Sequence, residues 1–582
     1  MQHVLPVALV LTLLVAGCAA PSSRSDSADP FLRVLDPLSE DLHAIGEHLD
    51  HTFDGATGTQ LYVDYVLPNP VPDGGAPVIL VFTPYQGADL DVGGEGEGQE
   101  PVLEDAPYNL NLVNTFVPKG YAVAFADVRG NHNAGGCIDQ TGPEQWQDGY
   151  DYVEWLGTQP WSNGKVGMYG ASYDGETQFT TAMMAPPHLA TIVPVASVSN
   201  QYEWNFYQGV PYELQPFLGM FSYFQGSAIP STDPANAPLY PEKLECQAQQ
   251  FTAGTDFSGD NTTFWQERDY RGMAGQIEAS VLHVHGLADW NVRPIHIDPL
   301  FNRITSEKRG IFGQWGHAYP DRDDWKDLLH AWYDHFLLGR DNGILERLPP
   351  VLIEDNQGAW HGIQSFPALD AAWLELELSA DGTVVAPGQA SAGELAIVDY
   401  PEEVLTGIAP DVGPNAVTAV AGLEDPDRLT WTWTTSQELR LVGRPEITFE
   451  ASTDTTSTHW VAHFNVEGAE CLGTTTLCEN GGYQDTRHRD GMNAPSDLTP
   501  NEPYTLTLRM YPQYDVIPAN SKVTLVLTNN DSEVSQDNTF ARSLVSVGGG
   551  KATLRLPLHA GGIALPDDTL PFPFPGYLPP SA

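Results

Sequence analysis

Three residues of this sequence have the types and the order that nucleophilic catalysis requires. Ser172 lies between small residues in "KVGMYGASYDGETQF" (165–179), Asp289 ends the run "SVLHVHGLAD", and His317 ends the run "RGIFGQWGH". A serine hydroxyl becomes a nucleophile when a histidine accepts its proton and a carboxylate orients that histidine. Each of the three follows a short apolar run, as such residues do at the carboxyl ends of parallel strands. The pattern therefore predicts acyl transfer through Ser172, with His317 as the base and Asp289 as its orienting acid.

The glycines around the candidate serine depart from the usual nucleophile-elbow pattern, G-x-S-x-G. Gly170 precedes the serine by two residues, but Asp174 occupies the second glycine position and Gly175 follows it. Small residues are needed because a serine on a sharp turn leaves no room for neighbouring side chains. Each signal alone has a structural alternative, namely a serine among glycines, a capping aspartate or a loop histidine, but their order favours the triad. His283 and His285 lie inside an apolar run and are interpreted as packed strand histidines rather than bases.

The elements that must position these residues alternate between strand-like and helix-like patterns over residues 50–345. Continuous apolar runs such as "APVILVFTPY" (76–85) and "GYAVAFADVRG" (120–130) are separated by stretches of helical periodicity. That alternation predicts an α/β fold in which helices cover both faces of a mostly parallel sheet. Residues 201–278 break the pattern, because they are aromatic-rich and irregular and fall between two strands. They are interpreted as a helical cap inserted over the active site of an α/β-hydrolase domain.

A second, all-β domain is predicted beyond "RLPPV" (347–351). From there the apolar period is two, in runs such as "RLTWTWTT" and "YTLTLRMY", with turn residues between them. Many short alternating strands indicate an antiparallel sandwich, here a jelly-roll-like one, over residues 350–560. Residues 561–582 are proline-rich and predict an extended tail.

The composition is that of a folded and strongly acidic protein. Of the 582 residues, 41% are hydrophobic, which is enough for two or three domain cores and excludes global disorder. The chain has 76 Asp and Glu against 26 Lys and Arg, a formal charge of −50. A surface of this charge repels nucleic acid and anionic lipid, so neither is expected as a partner.

The first residues indicate export. Residues 1–18 contain an apolar run, Val4 to Ala16, that is short for a membrane span and typical of a signal peptide. The run leads into Val-Ala-Gly-Cys, which resembles the bacterial lipobox, so Cys18 is predicted to be lipidated; an ordinary secretory signal is the alternative. Residues 19–49 then form a flexible tether and lead-in. No later segment is predicted to span a membrane, so the chain is expected outside the cytoplasm, touching the membrane only through its lipid.

Four cysteines remain for disulfide bonds. Cys137, Cys246, Cys471 and Cys478 allow three pairings. Cys471 and Cys478 enclose a short polar loop and are placed to staple a hairpin, which leaves Cys137 for Cys246. Both bridges are predicted because an exported chain meets oxidising conditions.

Longer stretches resemble the X-Pro dipeptidyl-peptidase and cocaine esterase family of serine hydrolases. That family's elbow is G-x-S-Y-x-G, which accommodates both Tyr173 and the displaced Gly175. The resemblance covers most of residues 50–560, because the predicted sandwich is similar to the family's C-terminal non-catalytic domain. The loop "DVRGNHNAGGC" departs from the family's more regular loop of glycine and serine. The segments that carry the resemblance are "FDGATGTQLYVDYVLP", "VFTPYQG", "FVPKGYAVAFADVRG", "DGYDYVEWLGTQPWSNGKVGMYGASYDGETQF" and "APPHLATIVP".

The resemblance implies how such a site works and what it acts on. The oxyanion formed by attack of Ser172 would be held by the backbone N–H of Tyr173 and the phenol of Tyr85, with no metal or organic cofactor. The implied substrate is a small peptide or ester. X-Pro dipeptidyl-peptidase action is the first expectation, and carboxylesterase or amino-acid ester hydrolase action is the alternative. A non-catalytic binding lipoprotein on the same fold is the remaining alternative.

Two sets of acidic residues have more than one interpretation. A dipeptidyl-peptidase must hold the free α-ammonium of its substrate, for which carboxylates are the natural partners. Asp174, Glu176 and Glu203 are candidates by position, but they are interpreted first as solvated acids or helix N-terminal charges. The stretch "DLDVGGEGEGQE" (89–100) has acids at several calcium-loop positions, yet position five is glycine and no helices obviously flank it. It is interpreted as a flexible acidic insertion, and no metal site is predicted.

Overall fold

The computed structural model describes residues 38–85, 111–211, 259–289, 291–320, 322, 324–368, 371–398, 428–466, 480–529 and 541–559. Within these ranges the chain forms a parallel-rich α/β unit followed by an antiparallel β-sandwich. The predicted fold class is therefore confirmed.

The α/β unit is built on one ten-stranded sheet. Its strands, with a separate hairpin of β7 and β8, are β1 Ala44–Asp54, β2 Gln60–Asn69, β3 Ala76–Thr83, β4 Ala122–Asp127, β5 Ser162–Ala171, β6 Leu189–Val195, β7 Phe206–Tyr207, β8 Val210–Pro211, β9 Ser280–Gly286, β10 Lys308–Gly313, β11 Val351–Glu354 and β12 Trp360–Ile363. The order across the sheet is β1-β2-β4-β3-β5-β6-β9-β10-β11-β12. Neighbours from β4 to β11 in that order are parallel, and the pairings at both edges are antiparallel.

Helices cover both faces of this sheet. They are α1 Leu112–Phe116, α2 Pro143–Gly157, α3 Tyr173–Met183, α4 Gln201–Asn205, α5 Thr263–Gln266, α6 Ile297–Phe301, α7 Trp325–Leu338 and α8 Ile344–Arg347. One core contains Tyr152 of α2 and Phe179 of α3, and the opposite core contains Phe116 of α1 and Trp332 of α7. Every residue of β3 and β4 is buried between these layers, as their continuous apolar sequences predict.

The first two strands after residue 350 belong to the large sheet. β11 and β12 extend the large sheet, with β11 parallel to β10, although the sequence pattern assigned residues 350–560 to the sandwich. The prolines at 349 and 350 end the preceding helical segment, whereas the fully buried β11 continues the sheet. At the other end, β1 begins at Ala44, inside the predicted lead-in 19–49.

The C-terminal unit is an antiparallel sandwich around one apolar core. Its strands are β13 Ala372–Leu378, β14 Val384–Val385, β15 Gly393–Val398, β16 Arg428–Thr434, β17 Leu439–Gly443, β18 Glu446–Thr453, β19 His459–Val466, β20 Asn480–Asp485, β21 Tyr504–Arg509, β22 Gln513–Ile517, β23 Lys522–Thr528, β24 Arg542–Val547 and β25 Ala552–Leu558. One sheet has nine strands, and the other has four in the order β16-β23-β19-β20. Buried and exposed residues alternate strictly along β21, as the period of two predicts.

The two ends of the predicted cap are described, whereas residues 212–258 between them are not. Both ends contact the sandwich. The backbone N–H of Asp485 donates to the Gln208 carbonyl at 3.0 Å, and Arg487 forms an ion pair with Asp260 at 3.0 Å. The sandwich therefore packs against both described ends of the predicted cap.

Several predicted features lie outside the described residues, namely the signal peptide with Cys18, the stretch 89–100, Cys246, Cys471, Cys478 and the tail 561–582. Cys137 is disulfide-bonded, and the two predicted pairings stay predictions. Across the described ranges, no helix combines the length and the hydropathy needed to cross a membrane. In the same ranges, no three or more His, Cys, Asp or Glu side chains are grouped to hold a metal ion.

Candidate active site

Ser172 occupies the sharp turn between β5 and α3. Its backbone has φ +63° and ψ −125°, a conformation that is uncommon outside glycine and that clusters at functional sites. The Ser172 N–H donates to the Val195 carbonyl at 2.9 Å, which ties the turn to the end of β6. The Ser172 carbonyl accepts from the N–H groups of Gly175 and Glu176, at 2.9 and 3.1 Å, and so begins α3. The serine therefore lies at the carboxyl edge of the sheet and at a helix N-terminus.

The displaced glycine of the elbow has a steric explanation. A Cβ on Gly175 would lie 2.7 Å from the Val195 carbonyl oxygen, so this position has no room for a side chain. A Cβ on Gly170, whose φ is +147°, would lie 2.4 Å from the Asp174 Cβ. The turn therefore requires glycine at 170 and 175, while position 174 tolerates an aspartate.

His317 and Asp289 are joined by a hydrogen bond of 2.8 Å between Nδ1 and Oδ2. The other carboxylate oxygen accepts from the backbone N–H groups of Asn291 and Val292, at 2.9 and 2.8 Å. The Asp289 side chain is fully buried and the His317 side chain is 21% exposed, so the imidazole is the solvent-facing member of the pair. Burial lowers the pKa of His317, but the charge of Asp289 and the hydrogen bond raise it, and the net pKa lies above its ordinary value.

The sheet brings Ser172 to the same edge as this pair. β5, β6, β9 and β10 are consecutive parallel neighbours, so residues that follow β5, β9 and β10 lie at one edge. The loops after β9 and β10 are joined, since the Ala288 N–H donates to the Trp315 carbonyl at 3.1 Å. Among the described residues, no hydrogen bond joins Ser172 Oγ to His317. A nucleophile–base hydrogen bond is commonly long before substrate binds and tightens in the complex.

His283 and His285 lie within β9 and are fully buried. Burial lowers the pKa of both imidazoles, so both are neutral at pH 7. Nε2 of His285 lies 2.7 Å from the Val292 carbonyl oxygen, and His283 packs edge-on against the ring of Phe312. These contacts are those of packed strand histidines, as interpreted from the sequence.

The two predicted oxyanion donors follow neighbouring strands. Tyr173 is the first residue of α3, where backbone N–H groups have no intrahelical partner. Its phenol is occupied elsewhere, since it donates to Gln145 Oε1 at 2.8 Å and accepts from the Thr141 N–H at 3.2 Å. Tyr85 follows β3, the strand next to β5, and is partly buried against the core.

Two residues that carry no sequence prediction, Thr83 and Asn131, contact the segment around Tyr85. The Tyr85 N–H donates to Thr83 Oγ1 at 3.1 Å. Asn131 Nδ2 donates to the Pro84 carbonyl at 2.7 Å, across 47 residues of sequence. The one sequence signal for Asn131 was its position in "DVRGNHNAGGC", the loop that departs from the family pattern.

Glu176 is not a solvated acid, which corrects the sequence interpretation. It is fully buried on α3 and accepts hydrogen bonds from Thr141 Oγ1 at 2.9 Å, Tyr270 Oη at 3.0 Å and Gln201 Nε2 at 2.6 Å. Burial raises the pKa of Glu176 to about 8, because these three hydrogen bonds offset only part of the desolvation. The reason is tertiary, since Gln201 and Tyr270, from the two described ends of the predicted cap, and Thr141 surround this carboxyl.

Asp174 and Glu203 also differ from solvated acids. Burial raises the pKa of Asp174 well above its ordinary value, although interaction with Thr83 lowers it, and Oδ1 is buried without a hydrogen-bond partner. Glu203 forms an ion pair with Arg271 at 2.7 Å, with only 16% of its side chain exposed. Of the three candidates for ammonium binding, Glu176 and Glu203 are therefore already engaged by protein groups.

Known proteins share this fold along most of the chain. The chain is 25% identical to a putative Xaa-Pro dipeptidyl-peptidase of Streptomyces avermitilis, over 96% of this chain and 89% of that protein. A CocE/NonD family hydrolase of Staphylococcus aureus has a TM-score of 0.68 at 17% identity, covering 89% of this chain and 96% of its own. An α-amino acid ester hydrolase has a TM-score of 0.65 at 18% identity, covering 92% of this chain and 98% of its own. The two solved structures show the fold alone.

Family models identify both units. Residues 54–319 match the X-Pro dipeptidyl-peptidase (S15) family, and residues 342–543 match the X-Pro dipeptidyl-peptidase C-terminal non-catalytic domain. The first match contains the elbow, the aspartate and the histidine described above, and the second contains most of the sandwich. The chain therefore belongs to the X-Pro dipeptidyl-peptidase (S15) family and is a serine hydrolase.

Proposed function

We propose that this hydrolase cleaves an amide or ester bond through an acyl intermediate on Ser172. The observation that carries the proposal is the Asp289–His317 hydrogen bond at the sheet edge where Ser172 has its positive φ. Ser172 Oγ attacks the acyl carbon while Nε2 of His317 accepts its proton. Nδ1–H stays donated to Asp289, whose charge stabilises the imidazolium. His317 then protonates the leaving amine or alcohol, and a water molecule deprotonated by the same imidazole hydrolyses the acyl-enzyme.

In this proposal the backbone N–H of Tyr173 and the phenol of Tyr85 bind the oxyanion of the tetrahedral intermediate. The Tyr173 N–H lies at the N-terminus of α3, where the helix dipole favours negative charge. A phenol supplies one directed donor that needs no reorganisation when charge develops. Loss of one such donor typically lowers kcat about 10²- to 10³-fold.

Covalent labelling tests the nucleophile. A fluorophosphonate should form an adduct with Ser172 in the folded protein, and Ser172→Ala should abolish both the adduct and turnover. Ser546→Ala, on β24 of the sandwich, is the matched control and should change neither. Adduct formation on the Ser172→Ala protein, or none on the folded wild type, would contradict the proposal and favour a non-catalytic binding protein on this fold.

We further propose removal of X-Pro dipeptides from peptide N-termini as the activity. Its support is the family match and the name of the Streptomyces avermitilis relative, 89% of whose length is matched. Ester hydrolysis is the second candidate, because Glu176 and Glu203 are engaged by protein partners instead of being open to a substrate ammonium.

A comparison of three substrates separates these activities. A dipeptidyl-peptidase should cleave a glycyl-prolyl arylamide with a free amine at least tenfold faster than its N-acetylated form. An esterase should cleave a simple aryl ester and discriminate little between the free and blocked amides. Equal kcat/KM on the two amides would refute ammonium recognition.

We also propose that the chain is exported and anchored by a lipid on Cys18. The support is the sequence of residues 1–18, with its apolar run and terminal cysteine. The full chain expressed in a bacterium should enter the detergent phase on phase partitioning, and Cys18→Ser should move it to the aqueous phase. Equal partitioning of the two proteins would refute the anchor.

A further inference from the structure

The segment that carries Tyr85 is held at two points outside the triad. Thr83 Oγ1 and Asn131 Nδ2 bond to the two polar groups of a single peptide unit, Pro84–Tyr85: Thr83 accepts from the Tyr85 N–H, and Asn131 donates to the Pro84 carbonyl. Both side chains are buried, so neither bond is exchanged freely with water. Together they fix the backbone from which the Tyr85 phenol projects.

Each of the two contacts is supported by a rigid neighbour. Thr83 is the last residue of β3, is paired in register with Asp127, and accepts through its carbonyl from the Val128 N–H at 3.0 Å. Asn131 lies in a turn in which its own N–H donates to the Val128 carbonyl at 3.0 Å. Its carbonyl accepts from Ala134 at 2.9 Å. Both contacts therefore come from backbone that is itself anchored to the ends of β3 and β4.

Thr83 also connects the two sides of the proposed oxyanion site. Its side chain interacts with the carboxyl of Asp174 in the first turn of α3. Asp174 directly follows Tyr173, whose N–H is the other proposed donor. A hydroxyl has one proton, so a Thr83 proton directed at Asp174 leaves the oxygen lone pairs for the Tyr85 N–H.

We propose that Thr83 and Asn131 are positioning residues that set the Tyr85 phenol against the Tyr173 N–H. This inference rests on the proposed function, since it concerns the same oxyanion. Donors stabilise a transition state when they are preorganised about 2.7–3.1 Å from the developing charge. A misplacement of about 1 Å can lower the rate about 10²-fold. Loss of either contact should therefore lower kcat and leave substrate binding nearly unchanged.

Thr83→Val and Thr83→Ser form the matched pair for the test. Valine keeps the shape but removes the oxygen, whereas serine keeps the hydroxyl. On an aryl ester, Thr83→Val should lower kcat about 10-fold or more with KM within about twofold, and Thr83→Ser should stay within about threefold of wild type. Asn131→Ala should behave as Thr83→Val does. Unchanged kcat in both Thr83→Val and Asn131→Ala, or an effect confined to KM, overturns the inference.

A double-mutant cycle with Tyr85→Phe distinguishes positioning from general damage. If Thr83 acts through the Tyr85 phenol, Thr83→Val should cost little more once that phenol is gone, because the two losses are coupled. If the two losses are fully additive, the inference is overturned. It is also overturned if a thermal melt shows that Thr83→Val is partly unfolded at the assay temperature and that this unfolded fraction accounts for the whole loss of kcat.

The same series separates the two levels of proposal. Suppose that the wild type is active and that Tyr85→Phe has a much lower kcat, but that Thr83→Val and Asn131→Ala have the kcat of the wild type. That result is consistent with the hydrolase proposal and refutes the positioning role. Wild-type protein without turnover or labelling refutes both.

Discussion

Replacement of Glu176 by glutamine should stabilise the protein at neutral pH. The pKa of this buried carboxyl is about 8 in the folded chain, against an ordinary value of 4.5, because burial disfavours its charged form. Between these two values the carboxyl is therefore protonated in the folded state and ionised in the unfolded state. Unfolding releases a proton in this window, so the free energy of unfolding falls as the pH rises.

The size of the effect follows from the two pKa values. Each pH unit inside the window changes the free energy of unfolding by about 1.4 kcal/mol. Between pH 5 and pH 7 this one group should therefore remove about 3 kcal/mol of stability. The neutral carboxyl is the form that fits the folded site at pH 7.

Glutamine matches that neutral form in shape and in hydrogen bonding. Its carbonyl can accept from Gln201, as Oε2 does now, and its amide can donate to the hydroxyls of Thr141 and Tyr270. Each hydroxyl also has a backbone carbonyl within reach, on Gln140 and Val198 respectively, to which it can redirect the proton that it donates to Glu176 in the wild type. The variant therefore has no ionisable group at position 176, and no buried hydrogen-bond donor is left unpaired.

Urea denaturation followed by tryptophan fluorescence at pH 5, 6, 7 and 8 measures the free energy of unfolding of the wild type and of Glu176→Gln. Glu176→Gln should gain stability over wild type as pH rises, by about 3 kcal/mol at pH 7. Glu278→Gln, at an exposed position, should follow wild type at every pH. A Glu176→Gln protein that is less stable than wild type at pH 7, or one with an unchanged pH slope, would show that the carboxyl is ionised in the fold and would refute the reasoning.

Two further substitutions test the triad and the elbow. Asp289→Asn should lower kcat about 10³- to 10⁴-fold and move the acid limb of the kcat/KM profile to lower pH, because the carboxylate raises the pKa of His317. An acid limb that stays in place would show that another group sets it. Gly175→Ala should lower kcat at least about tenfold and destabilise the fold by about 1–3 kcal/mol, since its Cβ would meet the Val195 carbonyl at 2.7 Å. Gly272→Ala, where a Cβ meets no atom within 4 Å, is the control, and equal activity of the two variants would refute the steric account.

The sequence alone predicted the fold class and the edge of the sheet at which the candidate triad lies. Both follow from local patterns: buried parallel strands are continuously apolar, as in β3 and β4, and functional residues follow strand ends. The sequence also shows that the second glycine of the elbow is displaced to position 175, but it does not show why. The carbonyl that excludes a side chain at Gly175 belongs to Val195, on the neighbouring strand.

Contacts between distant parts of the chain decided the rest. From the sequence Glu176 is interpreted as a solvated helix N-terminal acid, and contacts with Thr141 and with Gln201 and Tyr270 of the predicted cap make it a buried, neutral group. The strand β11 looked like the start of the sandwich until its pairing with β10 placed it in the large sheet. Local sequence determines which residues suit a strand, a turn or a helix, because those preferences depend on near neighbours. Burial, pKa and strand partnership depend on what packs against a residue from elsewhere, and that is set only when the whole chain has folded.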